Sequence, residues 1–150
     1  VAGVGNIYAD EALHRAGRVR LLGVSNVTAD QLRLLCEAAR VRPRFVQNRC
    51  FAADGWGRDV RAVCAAYGVT YQGFSLLTAN RHLLAHPDLR EIAGRHGRGV
   101  AQVVFRFALA VGMVPLTGTT DAGHMRDDLA VVDFKLDPGE VRRIEGLARR

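Results

Sequence analysis

The sequence predicts an α/β fold of about four βα units with parallel strands, preceded by a short helical segment. Two observations support this prediction: short apolar runs alternate with amphipathic stretches, and residues typical of helix caps open several of those stretches. Strands that alternate with helices form a parallel sheet through right-handed crossovers. Because a closed (β/α)8 barrel needs eight such units, the expected architecture is half of a TIM barrel.

The predicted strands are the apolar runs at residues 21–25, 45–47, 69–75 and 113–117. The predicted helices are residues 29–39, 59–67, 88–96, 100–111 and 123–131, followed by a last helix from Asp137. Thr28 and Gln31 have the spacing of a capping box, in which two side chains satisfy free amides at a helix start. Asp137 and Glu140 repeat this spacing, with Pro138 at the first helical position.

Residues 1–17 are expected to form a separate segment before the half-barrel of residues 18–150. Gly5 permits a tight turn, Asn6 is a candidate N-cap, and the helical residues that follow end at Gly17. A glycine turn that opens a helix presents free amide groups, which suit a phosphate.

The composition indicates a globular protein with a basic surface. The chain has 150 residues, of which 49% are hydrophobic, and a net charge of +6. No apolar run is long enough to cross a membrane and no secretory signal is recognisable, so a soluble cytoplasmic protein is expected. The charge comes from an arginine excess, which suits either nucleic-acid contacts or solvated helix faces. Cys36, Cys50 and Cys64 are widely spaced without a CxxC pair, so neither a disulfide framework nor a metal site is predicted.

Residues 3–13 carry a more specific motif. They read Gly-Val-Gly-Asn-Ile-Tyr-Ala-Asp-Glu-Ala-Leu, which resembles the helix-two-turn-helix motif of formamidopyrimidine-DNA glycosylases. The resemblance covers about residues 1–17 and implies that Gly5 and Asn6 contact a DNA phosphate. The arginines that could extend such a surface are Arg15, Arg18 and Arg20. The glycosylases' N-terminal catalytic proline and zinc finger have no counterpart in this sequence, so their chemistry is not implied.

A second and much longer pattern begins near residue 12. Its motifs are Gly-Val-Ser-Asn at 23–26, Pro43 with Gln47, Gly-Phe-Ser-Leu-Leu at 73–77, Gln-Val-Val-Phe-Arg-Phe-Ala-Leu at 102–109, Pro-Leu-Thr-Gly-Thr-Thr at 115–120, His-Met-Arg-Asp-Asp at 124–128 and Asp-Phe-Lys-Leu at 133–136. Their order and spacing over residues 12–150 resemble the C-terminal half of an aldo-keto reductase. The resemblance implies a (β/α)8 barrel that uses NADP(H) to reduce carbonyls to alcohols.

The aldo-keto reductase resemblance also assigns roles in binding the nucleotide. The residues that would hold the nicotinamide carboxamide are Ser25, Asn26 and Gln47. Phe74 replaces the usual tyrosine that stacks on the nicotinamide ring, and Ser75 adjoins it. The residues that would lie along the adenosine half are Thr119, Thr120, His124, Asp127 and Asp128.

Two departures from the family pattern bear on the cofactor and the chemistry. Gly118 and His124 stand where a lysine and an arginine often grip the 2′-phosphate of NADP, so the preference for NADP should weaken. The family's catalytic Asp, Tyr, Lys and His belong to the first four barrel strands, upstream of everything matched here. None of the tyrosines lies in the matching context; they are Tyr8, Tyr67 and Tyr71. Carbonyl reduction by the family mechanism is therefore not expected, and whether the chain is an enzyme is left open.

These patterns lead to two functional hypotheses from different classes. The first is a DNA-binding protein, related to DNA damage, that uses the half-barrel as a scaffold and requires no cofactor. The alternative is an NADP(H)-binding oxidoreductase, or oxidoreductase fragment, of the aldo-keto reductase family. A third hypothesis is a remnant without selected activity. Because a half-barrel exposes two sheet edges, a homodimer or larger oligomer is expected.

Several single residues have interpretations that only a structure can decide. Trp56, in Asp-Gly-Trp-Gly-Arg, is either a loop anchor or part of a substrate loop. Phe105 and Phe107 are predicted core residues, and core packing is the alternative to ring stacking for Phe74. The histidines predicted to be solvated are His82, His86 and His96.

Overall fold

A computed structural model describes residues 14–147 of the chain. The described part contains four parallel strands: β1 Gly23–Ser25, β2 Phe45–Arg49, β3 Thr70–Phe74 and β4 Met113–Pro115. They pair in the order β1-β2-β3-β4, so each strand lies beside the next one in the chain. This arrangement confirms the predicted α/β fold with about four βα units.

Six helices connect and flank the strands in this part of the chain. They are α1 Ala29–Ala38, α2 Arg58–Tyr67, α3 Pro87–His96, α4 Val100–Ala110, α5 Ala122–Leu129 and α6 Pro138–Glu145. Shorter 3₁₀ segments occupy Ala52–Gly57, Thr78–Ala85 and Ala130–Asp133. Both predicted capping boxes form, before α1 and before α6. Within residues 14–147, no helix combines the length and the apolar character that crossing a membrane requires.

Three of the four strands are shorter than the apolar runs that predicted them. β1 begins only at Gly23, because its ladder with β2 starts there and Leu21 is 57% exposed. β4 ends at Pro115, where its pairing with β3 also ends. β2 instead runs two residues beyond the prediction, to Arg49. The helix predicted over 123–131 ends earlier and continues as a 3₁₀ turn.

The two faces of the sheet differ in their surroundings. Val46, Tyr71 and Met113 are buried on the face that the helices cover. Successive residues of a strand point to opposite faces, so their neighbours point the other way. One row on that second face runs in register across all four strands: Ser25, Gln47, Gln72 and Val114. Three of these four side chains are exposed and Gln72 is half-buried, so we call this side the open face.

Trp56 lies at the centre of the core between the sheet and the helices. It is completely buried, and its ring meets Phe107 edge-on with ring centroids 5.3 Å apart. The indole Nε1 donates a hydrogen bond to the carbonyl of Ile144 at 3.1 Å. Trp56 is therefore a loop anchor. Phe107 and Phe105 are core residues, as predicted.

Two of the three histidine predictions are wrong. His96, in the last turn of α3, is half-buried and its Nε2 lies 3.0 Å from Oε2 of Glu140, a carboxylate that is only 2% exposed. The end of α3 packs against the start of α6, and a polar sequence pattern does not reveal that contact. His86 is half-buried and accepts a hydrogen bond from the Asp88 N–H at 3.2 Å, so it caps α3. His82 is exposed, as predicted.

Most of the N-terminal segment lies outside the described residues. Residues 14 and 15 are helical, and the N–H of Gly17 donates to the carbonyl of His14 at 3.0 Å. Gly17 has a φ of 68°, the left-handed conformation typical of a residue that ends a helix. The predicted turn at Gly5 and Asn6 falls outside the described residues, and the boundary after residue 17 stays a prediction.

Candidate nucleotide-binding site

The carboxyl ends of the parallel strands bring the residues assigned to a nucleotide to one edge of the sheet. Ser25 ends β1, Gln47 lies near the end of β2, and Phe74 ends β3. The loop of residues 116–121 follows β4 and leads into α5. This loop starts against β3, because the first N–H of the loop donates to the carbonyl of Gly73 at 2.8 Å.

Ser25, Asn26 and Gln47 form one hydrogen-bonded group. The Ser25 Oγ donates to the carbonyl of Gln47 at 2.7 Å, and the Asn26 N–H donates to the same carbonyl at 3.1 Å. Asn26 has a φ of 53°, a left-handed conformation that asparagine adopts more readily than most residues. Its Oδ1 accepts from the Arg49 N–H at 3.1 Å. The Asn26 Nδ2 and the side-chain amide of Gln47 have no hydrogen-bond partner among residues 14–147.

Asn48 supports this group, and the sequence reasoning missed it. Its side chain clamps the backbone of Val27: Oδ1 accepts from the N–H at 3.1 Å and Nδ2 donates to the carbonyl at 2.7 Å. Asn48 is 8% exposed, and both of its polar atoms are satisfied. The clamp fixes the backbone directly after Asn26. The only signal in the sequence is a polar residue at a strand position that faces the core.

Phe74 and Ser75 continue the site along β3. Phe74 is half-buried on the open face, in register with Arg49 of β2, and its carbonyl accepts from the Cys50 N–H at 2.9 Å. Ser75 has a φ of 59°, and its carbonyl accepts from the Ala79 N–H at 2.9 Å. An aromatic ring on this face can stack on a planar ligand. Arg49, which the sequence reasoning also missed, is exposed, and its guanidinium carbon lies 5.7 Å from the centre of the Phe51 ring.

Hydrogen bonds fix the loop after β4 against α5. The Thr119 Oγ1 accepts from the Asp121 N–H at 3.1 Å. Asp121 is the N-cap of α5, and its Oδ1 accepts from the His124 N–H at 2.8 Å, which holds the pKa of the Asp121 carboxyl below its usual range. The Thr117 Oγ1 donates to Asp128 Oδ2 at 3.2 Å. Thr119, His124 and Asp128 thus lie around one loop.

The remaining two assigned residues, Thr120 and Asp127, are exposed on the same segment. The carbonyl of Asp127 accepts from the Gln102 Nε2 at 3.0 Å. The Gln102 Oε1 in turn accepts from the Gly99 N–H at 2.9 Å. Gln102, which is 7% exposed, therefore anchors α5 to the start of α4.

The residues present fit the nicotinamide end of a nicotinamide nucleotide. A carboxamide has one acceptor oxygen and two N–H donors. The unpaired Asn26 Nδ2 is a donor, and the unpaired amide of Gln47 offers both a donor and an acceptor on the open face. The Phe74 ring adds a flat apolar surface at the same edge of the sheet.

Neither tyrosine within residues 14–147 is suited to protonate a substrate. Tyr71 is 2% exposed, and its burial raises the pKa of the phenol. The Tyr67 Oη donates to Glu37 Oε1 at 2.8 Å, and that hydrogen bond raises the pKa of Tyr67. Burial also raises the pKa of the Cys50 thiol to about 12, so it stays protonated near neutral pH. Tyr8 lies outside the described residues.

The residues assigned to DNA all belong to the first 20 residues of the sequence. Gly5 and Asn6 lie outside the described residues. The three arginines are exposed on the segment before β1: Arg15, Arg18 and Arg20.

A cavity of about 380 Å³ lies on the helix-covered side of the sheet, near the first turns of α1 and α2. It is lined in part by Asn48 and Arg49, but by none of the residues assigned to the nucleotide. Ser25, Gln47 and Phe74 lie instead on the open face, which has no wall opposite it in the described part of the chain. Within that part, no group of three or more His, Cys, Asp or Glu side chains could hold a metal ion.

Comparison with known proteins agrees with the longer of the two resemblances. A family model described as "Aldo/keto reductase family" matches residues 9–149. An aldo-keto reductase of Mycolicibacterium paratuberculosis is 34% identical over 131 residues, which cover 87% of this chain and 45% of that protein. The uncharacterized oxidoreductase YtbE of Bacillus subtilis is 29% identical over 137 residues, which cover 91% of this chain and 48% of that protein.

A solved structure shows the same fold. MGS-M4, an aldo-keto reductase enzyme from a Medee basin deep-sea metagenome library, matches with a TM-score of 0.84 at 22% identity, over 93% of this chain and 52% of its own. The chain spans about half the length of the curated relatives it matches. The family match begins at residue 9, inside the segment expected to resemble a glycosylase. Nothing in the comparisons supports a glycosylase-like motif.

Proposed function

We propose a function from the premise that this chain belongs to the aldo/keto reductase family. In this proposal the chain forms the part of an oxidoreductase site that binds a nicotinamide nucleotide. This part lies at the carboxyl edge of the sheet. The observation that carries the proposal is the group of Ser25, Asn26 and Gln47, whose backbone is held by hydrogen bonds while the Asn26 Nδ2 and the Gln47 side-chain amide have no partner among residues 14–147. The oxidoreductase alternative is therefore better supported than the DNA-binding hypothesis.

The residues of this chain bind and orient the nucleotide. When bound in its reduced form, such a nucleotide supplies a hydride for the reduction of a carbonyl. The amides of Asn26 and Gln47 hold the carboxamide, and the Phe74 ring supports one face of the nicotinamide. Holding the ring in one orientation lowers the entropic part of the barrier. In this proposal the proton for the carbonyl oxygen comes from a residue other than Tyr67 or Tyr71, because Tyr71 is buried and the Tyr67 hydroxyl donates to Glu37.

The adenosine half of the nucleotide lies along the loop after β4 in this proposal. Thr119 and Thr120 offer hydroxyl groups to the phosphates, and the start of α5 borders the ribose. The contact between Leu116 and Gly73 joins this loop to β3, so both halves of the proposed site rest on one sheet edge.

The Gln47→Ala substitution tests the nicotinamide end. We expect it to weaken NADH or NADPH binding about tenfold, because losing hydrogen bonds worth about 1.4 kcal/mol changes the dissociation constant by that factor. The nucleotide's own fluorescence reports the binding. The unfolding midpoint should hardly change, since the side chain is exposed and makes no hydrogen bond to residues 14–147.

Gln72→Ala is the matched control for this test. Gln72 is in register with Gln47 on the neighbouring strand, points to the same face, and has no assigned role. Its substitution should leave the nucleotide affinity within about twofold of the starting value. A twofold change corresponds to about 0.4 kcal/mol. An equal loss in both variants, or no loss in Gln47→Ala, would contradict the proposal.

Labelled duplex DNA, titrated at two salt concentrations, tests the competing hypothesis. Affinity that depends on phosphate contacts falls steeply as salt rises, because binding releases counterions. We expect no saturable DNA binding by the chain. The assignment would be reversed by salt-sensitive DNA binding that is lost in an Asn6→Ala, Arg15→Ala double variant, together with no nucleotide binding.

We further propose that a second copy of this chain covers the open face. β1 and β4 each have a neighbour on one side only, and unpaired strand edges favour association. Helix α5 contributes no buried residue, and Leu129 at its end is 77% exposed, with Val132 in the following turn 65% exposed. A two-fold dimer would bury these edges and side chains together.

Sedimentation equilibrium measures the association directly, and the expected species is a dimer. Leu129→Asp should shift the equilibrium toward the monomer, because it places a charge in the proposed contact. Leu34→Asp is the control: Leu34 is 66% exposed on α1, outside the proposed contact. A monomer at all concentrations, or the same shift in both variants, would remove the dimer from the proposal.

A further inference from the structure

We propose that the nucleotide site favours NAD(H) over NADP(H), because fixed carboxylates surround the place where the adenosine ribose would lie. This inference rests on the proposed function and concerns the loop after β4 together with α5. It names Asp121 and Asp128 as the residues that determine which nucleotide binds.

The charge of this segment is negative. From residue 116 to residue 129 it carries three carboxylates, Asp121, Asp127 and Asp128, and one fixed cation, Arg126. A phosphate monoester carries about −1.5 to −2 charges near neutral pH, and arginine or lysine holds it best. An added 2′-phosphate would therefore approach a segment that has three carboxylates and a single fixed cation, Arg126.

Asp121 also occupies an amide that could otherwise hold a phosphate. The free N–H groups at a helix start are an ordinary anion site. Here the His124 N–H donates to the Asp121 carboxylate at 2.8 Å. An approaching phosphate would meet the charge of this carboxylate at the helix start.

The Asp128 carboxylate is held in place. Its Oδ2 accepts from the Thr117 hydroxyl at 3.2 Å, so this side chain faces the loop after β4. The backbone carbonyl of Asp127 is anchored by Gln102 at 3.0 Å, which fixes the turn of α5 that carries both residues. Turning the Asp128 side chain away from a ligand would cost its hydrogen bond to Thr117.

Arg126 does not offset this charge. Residues four apart share one helix face, so Asp128 lies on the same side of α5 as His124, the side that meets the loop. Arg126 is midway between them in sequence and therefore lies on the opposite side. His124 remains on the loop side, with its Nδ1 3.9 Å from Asp121 Oδ1. A histidine is a weaker cation near neutral pH than the arginine or lysine that a phosphate requires.

The same carboxylates suit an unphosphorylated ribose. An acidic side chain accepts a hydrogen bond from the ribose 2′-hydroxyl in many proteins that bind NAD. The chemistry of the segment thus distinguishes two ligands that differ only at this position. A hydroxyl gains a hydrogen-bond acceptor, whereas a phosphate is repelled.

Parallel fluorescence titrations of the purified chain with NADH and NADPH test the inference. We expect NADH to bind at least about tenfold more tightly, a difference of about 1.4 kcal/mol. The ratio of NADH affinity to NADPH affinity should increase as the salt concentration falls, because salt then screens the repulsion between the 2′-phosphate and the carboxylates less. Asp121→Asn keeps an N-cap but removes the charge, so it should narrow the ratio several-fold through tighter NADPH binding.

Two further variants sharpen the test. Gly118→Lys adds a cation in the loop, where a β-carbon meets no atom within 4 Å, and should also improve NADPH binding. Asp59→Asn removes an exposed carboxylate from the first turn of α2 and should change neither affinity. Equal or tighter binding of NADPH by the unmodified chain would overturn the inference and leave the proposed function standing. Binding of neither nucleotide would overturn both.

Discussion

Replacing Trp56 by alanine is expected to lower the free energy of unfolding by about 3–5 kcal/mol, the range for large-to-small aromatic substitutions in a core. The side chain is completely buried and packs edge-on against Phe107. Its removal would leave a cavity and would also leave the Ile144 carbonyl without the indole donor. Because Ile144 belongs to α6, the loss would loosen the last helix as well.

The loop around Trp56 is expected to resist collapse into the cavity. Gly55, Trp56 and Gly57 all have positive φ values, of 62°, 58° and 69°. A β-carbon on Gly57 would collide with the hydroxyl of Tyr71, so the backbone lies directly against the core. A tightly placed backbone limits relaxation, and cavities that cannot relax have the highest cost.

Urea unfolding followed by far-UV circular dichroism measures this effect, since Trp56 is the sole tryptophan and its fluorescence is lost in the variant. Phe51→Ala is the control, because Phe51 precedes the same loop but is 39% exposed. Phe51→Ala should lower the free energy of unfolding by well under half as much as Trp56→Ala does. A loss below about 1 kcal/mol for Trp56→Ala would mean that the loop is not anchored in this way.

The fold was predictable because its signals are local. The capping residues Thr28 and Asp137 mark helix starts through contacts within three residues, and both form as predicted. The alternation of apolar runs with amphipathic stretches likewise depends on each segment alone. The exact extent of a strand depends on its partner instead. β1 is short because its pairing with β2 starts at Gly23, which the run at residues 21–25 does not show.

The site was only partly predictable, because several of its contacts depend on partners that are distant in the sequence. The family resemblance named Ser25, Asn26 and Gln47, and the structure joins all three through the carbonyl of Gln47. The roles of Asn48 and Arg49 depend on the register between strands 20 residues or more apart in the chain, which no motif records. The contact of His96 with Glu140 depends on how two distant helices pack, so its burial was missed.

Arg61 is the second residue whose loss should have a large effect. Its guanidinium joins three separate parts of the chain. Nη2 contacts Glu145 Oε1 at 2.6 Å, Nε donates to the carbonyl of Trp56 at 3.1 Å, and Nη1 donates to the carbonyl of Val111 at 3.0 Å. The side chain is only 12% exposed. We expect Arg61→Ala to lower the free energy of unfolding by about 3 kcal/mol, because it leaves a largely buried carboxylate and two carbonyls without this partner.

Arg58→Ala is the matched control for this variant, because Arg58 contacts the other oxygen of Glu145 at 2.8 Å but is 40% exposed. Arg58→Ala should lower the free energy of unfolding much less than Arg61→Ala does, since solvent screens an exposed pair. The pH dependence gives a second measurement. Burial raises the pKa of Glu145, but Arg58 and Arg61 outweigh it, so the pKa is lowered overall. The free energy of unfolding of the unmodified chain should therefore exceed that of Arg61→Ala by the largest amount near neutral pH. This difference should shrink below about pH 4, as Glu145 takes up a proton. Equal losses for Arg58→Ala and Arg61→Ala would show that the carbonyl contacts of Arg61 contribute little.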